Sequence, residues 1–342
     1  MLGLGDRLGI DLGTSNIVVY AWRRGIVIRE PSVVAIDQRT REVRAVGQQA
    51  QAMLGRTPGS IVATRPLRDG VIADYSITRE MLAYLIRKAC GTRGRIFRPL
   101  VVICIPSGAT SVEHRAALDA ARSAGARDAI PIEEPMAAAI GANLPIAMPG
   151  GNMVVDIGGG TTDIAVISLG GVVVSDSLRI GGNDLDEAIT RYIRRVYNLD
   201  IGERTAEMVK MEIGSAVRVD DEQDMEVRGR DVITGLPQTI TVNSADVREA
   251  ISENLSQIVE AVKSILERTP PELAADIIER GITLTGGIAL LSGMARLLEL
   301  ETSIPVSVPE DPISSVAVGI GRVLEEVDTL RRHSFKPSRR RY

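Results

Sequence analysis

Two stretches of the chain share one rhythm of apolar and polar positions. A short apolar strand ends in Asp11, a turn of Gly13-Thr14-Ser15-Asn16 follows, and strands at Ile17–Ala21 and Ile26–Ile28 flank a further glycine turn. The second stretch starts at Val154. Its first strand ends in Asp156, Gly158–Thr162 make the turn, and Gly170-Gly171 make the next one. Runs of this length bounded by glycine turns predict β-meanders. Two such meanders about 145 residues apart, each with an aspartate at the same strand end, predict a duplicated fold with two similar lobes.

Helical periodicity fills the space between and after them. Met81, Leu82, Leu85, Ile86 and Ala89 predict a helix over Thr78–Cys90, and "RPLVVICIPSG" reads as a buried strand. Thr110 and Glu113 form a capping-box pattern for a helix to Gly125. Pro135 suits the first turn of a further helix. Asn183 is placed to cap a helix through Tyr197, and Glu203–Ala216 reads as another. Residues 219–242 are acidic and then strand-like, with a turn at "TGLPQ". From Ser244 to Arg268 an apolar stripe of Val247, Ile251, Leu255, Ile258, Val262 and Ile265 predicts one long helix with a core-facing side. Helices over Glu272–Arg280 and Ser314–Arg332 and a strand at "IPVSV" complete the α/β pattern.

Composition narrows the class. The 342 residues are 44% hydrophobic and 25% charged, which suits a globular protein of about two domains. A net charge of -4 gives no general attraction to nucleic acid. Two cysteines, Cys90 and Cys104, exclude a disulfide framework and a four-cysteine zinc site and fit a reducing compartment. No run reaches the ~20 apolar residues of a membrane span and no signal-peptide pattern opens the chain, so a cytoplasmic protein is expected.

Glycine loses the most backbone freedom on ordering, so a triple glycine implies a close approach of something to bare backbone. Three glycine turns close strands: Gly13–Asn16, Gly158–Thr162 and Gly286-Gly287. Such turns can aim several N–H groups at one phosphate. Asp11 and Asp156, each beside one turn, can hold Mg²⁺ through its waters. No Gly-Lys pair and no G-x-G-x-x-G occurs, so neither a P-loop nor a dinucleotide fingerprint is present. The combination predicts a nucleotide held between two lobes.

"DLGTSN", "IEEPMAAAIG", "DIGGGTTDIAVIS" and "LTGGIALL" resemble the phosphate 1, connect 1, phosphate 2 and adenosine motifs of the actin, chaperone and sugar-kinase superfamily. "REPSVVAID", "RPLRDGVIADY", "GERTAEMVKMEIGSA", "GRDVITGLP" and "TPPELAADIIERGI" resemble the bacterial actin MreB/Mbl family, over nearly the whole chain. The resemblance implies an actin-like fold, with two duplicated ribonuclease-H-like lobes around a nucleotide cleft and a small subdomain inserted in each. It implies subdomain IA at residues 1–31, 77–148 and 318–342, IB at 32–76, IIA at 149–182 and 246–317, and IIB at 183–245.

By the same resemblance, Thr14, Ser15 and Asn16 match the first phosphate turn, and Gly158, Gly159, Gly160, Thr161 and Thr162 the second. Glu207, Met208, Val209 and Lys210 match the helix beside ribose and adenine. Gly286, Gly287, Ile288, Ala289 and Leu290 match the adenosine turn, with Ile288 in place of a usual third glycine. Glu134 matches the residue that orients the attacking water, with Thr161 or Thr162 assisting.

The implied protein is an ATP/ADP- and Mg²⁺-binding ATPase that forms homopolymeric filaments on the inner face of the cell membrane and directs cell-wall synthesis and rod shape. MreC, MreD, RodZ and wall-synthesis enzymes are the implied partners. Rival readings are a small-molecule kinase or chaperone ATPase of the same superfamily, and an inert scaffold; the presence of Asp11, Asp156 and Glu134 favours hydrolysis. Arg87–Pro99 carries five basic residues and no acidic one around Ile96 and Phe97. Relatives resemble this in carrying an apolar pair for membrane insertion, and each basic residue near an anionic leaflet adds about 1 kcal/mol.

Overall fold

A computed structural model describes residues 6–54, 59–91, 94 and 97–334. The first meander is β1 (Arg7–Leu12), β2 (Asn16–Ala21) and β3 (Gly25–Pro31). Then come β4 (Val34–Asp37), β5 (Val43–Val46), the short helix α1 (Gln48–Gln51), β6 (Ile61–Thr64), β7 (Leu67–Arg68), β8 (Val71–Ile72) and α2 (Tyr75–Cys90). The first lobe closes with β9 (Leu100–Ile105), α3 (Ser111–Ser123), β10 (Asp128–Glu133) and α4 (Glu134–Gly141). The second meander is β11 (Asn152–Ile157), β12 (Thr162–Ser168) and β13 (Gly171–Leu178), followed by α5 (Gly182–Tyr197), β14 (Leu199–Asp200) and α6 (Glu203–Ile213). The rest is β15 (Asp224–Asp231), β16 (Pro237–Asn243), α7 (Ser244–Arg268), α8 (Pro271–Arg280), β17 (Ile282–Thr285), α9 (Met294–Thr302), β18 (Val306–Ser307) and α10 (Ser315–Ser334).

The duplication read from the sequence is present in the sheets. One five-stranded sheet runs β3-β2-β1-β9-β10 and the other β13-β12-β11-β17-β18. In each, an antiparallel meander is extended by two parallel strands. A three-stranded sheet, β5-β4-β6, accompanies the first lobe, and another, β14-β15-β16, the second. Three large apolar layers result, beside a small cluster of Val33, Ala35, Ala45 and Ala50 at the β5-β4-β6 sheet. One fills the first lobe around Ile10, Met81, Leu85 and Ile103, and one fills the second around Val155, Leu185, Ile258 and Leu284. The third lies between the two large sheets and joins Val102, Ala138, Ala165 and Ile320.

In that middle layer α4 crosses α10 almost backbone to backbone. A Cβ on Gly141 would collide with the Ser315 carbonyl, and one on Gly319 with the Ala137 carbonyl. The Arg322 guanidinium donates to the Ile140 carbonyl at the same crossing. Since α4 runs from Glu134 to Gly141, this contact fixes the far end of the helix that presents a candidate site residue.

Local sequence signals set several boundaries. The Thr110–Glu113 capping box is formed, and α3 stops at Ser123. Helix α2 begins earlier than its apolar stripe because Asp74 accepts from the Ile77 N–H at 3.0 Å. Helix α6 stops at Ile213, and Gly214, in extended conformation, ends it short of Ala216. Helix α7 has the expected bounds, and its whole stripe is buried. Ile258 is 0% exposed in that stripe. A glutamate there would be an unpaired buried charge, costing on the order of 4 kcal/mol or more. Ile258→Glu is therefore expected to abolish the cooperative thermal transition. A soluble variant that still binds nucleotide would show that the stripe is not core.

Among the described residues no helix is long and apolar enough to cross a membrane.

Candidate nucleotide site

The expected glycine turns face each other across the lobes. A Cβ on Gly159 would overlap the Ser15 side chain, and one on Gly160 would come within 2.5 Å of Thr14 Oγ1. Bare backbone is needed here first because the opposite turn abuts it. Ser15 Oγ donates to Asn183 Oδ1 at 2.9 Å, and Ser107 N–H donates to Asp163 Oδ1 at 2.9 Å, so the lobes are tied at two further points.

Asn183 was expected to cap α5. Gly181 is the cap residue instead, and the Asp184 carboxylate accepts its N–H at 2.8 Å. The first amides of α5 are spent on the second turn: Gly182 N–H donates to Gly158 O at 2.9 Å and Asn183 N–H to Gly159 O at 2.8 Å. This needs a glycine at 181, because a Cβ there would sit 2.7 Å from the Gly159 carbonyl carbon. The pair Gly181-Gly182 was the signal in the sequence for this close approach.

A second contributor was not expected at all. Between β7 and β8 the tip residues Asp69 and Gly70 both have positive φ, 50° and 75°, as a tight hairpin turn requires. Gly70 N–H donates to Thr14 Oγ1 at 2.9 Å, and a Cβ there would lie 2.7 Å from Thr161 Cγ2. The hairpin tip thus rests on both turns. The "RDG" at 68–70, within two short apolar runs, was its trace in the sequence.

Four carboxylates converge beneath the turns. Asp156 stands between two strand neighbours, Asp163 on β12 and Thr285 on β17, and accepts from Thr285 Oγ1 at 2.6 Å. Burial, with the Asp156 charge beside it, pushes Asp11 up to about 7. Burial also raises Asp156 to about 7, against the Thr285 hydrogen bond, and Asp163 to about 6, against its hydrogen bonds. Glu134 is held well above the usual range by burial and by Asp163, Asp156 and Asp11 in turn. A helix N-terminus normally favours an ionised carboxylate by up to about 1 kcal/mol at the surface. At Glu134 burial and three neighbouring acids outweigh it.

This donor set fits a divalent cation. Among the described residues no three His, Cys, Asp or Glu side chains are close enough to enclose an ion. Burial and mutual repulsion oppose ionising Asp11 and Asp156, a penalty a divalent cation would relieve, and an ion that keeps several waters, as Mg²⁺ does, needs no enclosing cage of side chains.

The remaining expected residues divide. Thr14 and Thr161 lie at the junction, whereas Thr162 is fully buried and donates to Ile180 O at 2.8 Å, a scaffold bond. Asn16 is exposed at the start of β2. Lys210 pairs with Asp186 at 2.8 Å and donates to Gly182 O at 2.8 Å, so its ammonium is held against α5. Val209 faces the second-lobe core and Met208 is exposed, so only part of the 207–210 run can face a ligand.

Gly286, at φ 84°, packs against Ile157, and Gly287 has open space beside its Cα. Ile288, the departure from a third glycine, is buried, with Cδ1 3.2 Å from where a Gly182 Cβ would stand. Ala289 is buried and Leu290 exposed. Ile96 lies outside the described residues, and Phe97 is 39% exposed.

The family model for "MreB/Mbl protein" matches residues 5–332. The chain belongs to the MreB/Mbl family. It is similar to the cell shape-determining protein Mbl of Bacillus cereus, 51% identical over 96% of this chain and 98% of that one. It is also similar to the cell shape-determining protein MreB of Escherichia coli K12, 54% identical over 94% of each chain. Among solved structures, MreB5 of Spiroplasma citri bound to ADP superposes with a TM-score of 0.90 at 36% identity, over 96% of this chain and 99% of that one. The MamK double helical filament gives 0.80 at 25% identity, over 94% and 99%. The actin-like architecture of an MreB/Mbl protein is thereby established.

Proposed function

We propose that this MreB/Mbl chain is a cytoskeletal ATPase that assembles with itself into filaments, held at the inner face of the cell membrane, and directs cell-wall synthesis and rod shape. One observation carries the reading. The two glycine turns, Asp11, Asp156 and Glu134 converge at the junction of the lobes, in a chain 36% identical to an MreB5 solved with ADP and with AMPPNP. We assign the lobes to subdomains with the boundaries that the family resemblance implies. MreC, MreD, RodZ and wall-synthesis enzymes are proposed as partners on that resemblance alone.

The site residues divide the work of phosphoryl transfer to water, in which positioning and charge stabilisation dominate. The amides of Gly159 and Gly160 and of Thr14–Asn16 would hold phosphate oxygens, since the Gly158 N–H is spent on the Thr161 carbonyl at 2.9 Å, with Asp11 and Asp156 holding Mg²⁺ through its waters. The ion and phosphates together would supply the positive field and the electrophile that a cluster of carboxylates lacks. Glu134, at the start of α4, accepts a hydrogen bond from the attacking water. The Thr161 hydroxyl, beside Thr14 and the Gly70 tip, orients the same water. Gly287, with open space beside it, lies where the nucleoside would rest. Calorimetry with ATP in excess Mg²⁺ and again in EDTA tests this assignment. Tight binding only with the ion supports it, and equal affinity in both contradicts it.

Membrane contact is assigned to Ile96 and Phe97, supported by the basic run around them and by the exposure of Phe97. Each buried apolar side chain adds about 1.5–3 kcal/mol, and a filament repeats the site. The double substitution Ile96→Ser, Phe97→Ser is expected to leave ATP binding intact and to abolish co-sedimentation with anionic liposomes. Undiminished co-sedimentation at physiological salt would move the contact to the basic run Arg331–Arg341.

A further inference from the structure

A groove of about 590 Å³ lies between β5 and α2 and shares no residue with the nucleotide site. One wall is the consecutive run Arg41–Val46. Its last four residues, Val43–Val46, are β5; side chains along a strand alternate between faces, so four in a row lining the groove mean that the strand's backbone edge faces it. β5 is the outermost strand of its sheet, and no further strand joins its outer side among the described residues. An open edge is a ready template for another strand. The opposite wall is one face of α2, with Ser76, Glu80, Tyr84 and Arg87 at helical spacing. From Ser76 to Arg87 the helix rises about 16 Å, which matches about five residues of extended chain.

The charge of the groove selects its occupant. Four arginines, Arg41, Arg44, Arg79 and Arg87, line it against two glutamates, Glu42 and Glu80. Three of them are paired at the surface, Arg41 with Asp74 at 2.8 Å, Arg44 with Asp37 at 3.2 Å and Glu42 at 3.4 Å, and Arg79 with Glu80 at 2.5 Å, and each keeps about half or more of its side-chain surface open. Such exposed pairs are weak and exchangeable, worth about 0–1 kcal/mol. Arg87, in the last turn of α2, makes no ion pair among the described residues.

We propose that this groove binds a short extended segment of a partner protein that carries acidic side chains, added as a fourth strand on the outer edge of β5 and held against α2. Main-chain hydrogen bonds to β5 supply affinity, and the arginines, with Val43, Ile77 and Tyr84 between them, supply selection. The groove is separate from the nucleotide site, so this holds whether or not the chain hydrolyses ATP.

Fluorescence polarisation of the full chain with a labelled, end-blocked hexapeptide of alternating valine and glutamate tests it. Saturable binding is expected, at least about tenfold weaker for the valine–lysine peptide and for a backbone N-methylated valine–glutamate peptide. The double variant Arg79→Glu, Arg87→Glu is expected to lose at least about tenfold in peptide affinity with Mg-ATP affinity unchanged. No saturable binding, equal binding of the N-methylated peptide, or undiminished binding by the variant would each overturn the proposal. So would a variant that keeps peptide binding but loses binding to phosphatidylglycerol vesicles, which would assign the groove to the membrane.

Discussion

Glu134→Ala is expected to slow phosphate release by about 100-fold or more, the usual scale for loss of a positioned proton acceptor. Mg-ATP affinity should change by no more than about threefold, because the role is confined to the transition state. The expectation follows from the placement of the carboxylate. It opens α4, whose far end is locked to α10 through Gly141 and Gly319, and it feels Asp163, Asp156 and Asp11. Alanine removes the acceptor without disturbing that helix crossing. Single-turnover phosphate release beside calorimetry separates the outcomes. Joint loss of binding and hydrolysis would make Glu134 a structural residue instead.

The second large effect is at Asp156, and it has two signs. With its carboxyl raised to about 7 by burial, the unliganded protein keeps a proton there that the unfolded chain gives up near 4. Between those values the folded state binds more protons, so its stability falls as pH rises through about 4 to 7. Asp156→Asn removes the buried charge and keeps an acceptor for Thr285. In EDTA the variant is expected to melt no lower than the parent at pH 8, and to show a flatter decline from pH 5 to 8. With Mg-ATP it should bind about 10–100-fold more weakly, as loss of an outer ligand partner typically does. A variant destabilised at pH 8 in EDTA would show that the ionised carboxylate is already compensated. Unchanged Mg-ATP affinity would remove Asp156 from the ion site.

What the sequence disclosed follows the range of the forces involved. The two meanders, the capping box of Thr110 and Glu113, and the length of α7 depend on residues within a few positions of one another, and they were legible. The early start of α2 was missed because Asp74 lies outside the apolar stripe that marks the helix. Contacts between distant segments were not legible. Asn183 reads locally as a helix cap, yet its side chain meets Ser15 from the other lobe, and Gly181 takes the cap. Lys210 finds its partner Asp186 on a different helix, α5, beyond the reach of any local pattern. The Gly70 tip reads as an ordinary turn until it is seen against Thr14 and Thr161. Family resemblance named Val209 and Thr162 with the site, whereas packing places one in the core and spends the other on the Ile180 carbonyl.

The Arg65–Glu203 pair is another long-range tie of this kind. Arg65 Nε and Nη2 donate to Glu203 Oε1 at 3.0 and 2.5 Å, joining the segment after β6 to the first residue of α6. It is partly exposed, so salt weakens it and it contributes little to stability.

Negative-stain electron microscopy of the purified chain on a lipid monolayer, run beside a phosphate-release assay, tests the central claim most directly. With Mg-ATP, filaments accompanied by phosphate release are predicted, and with EDTA neither. Dispersed particles in Mg-ATP, or nucleotide turnover that requires an added small-molecule acceptor, would contradict it.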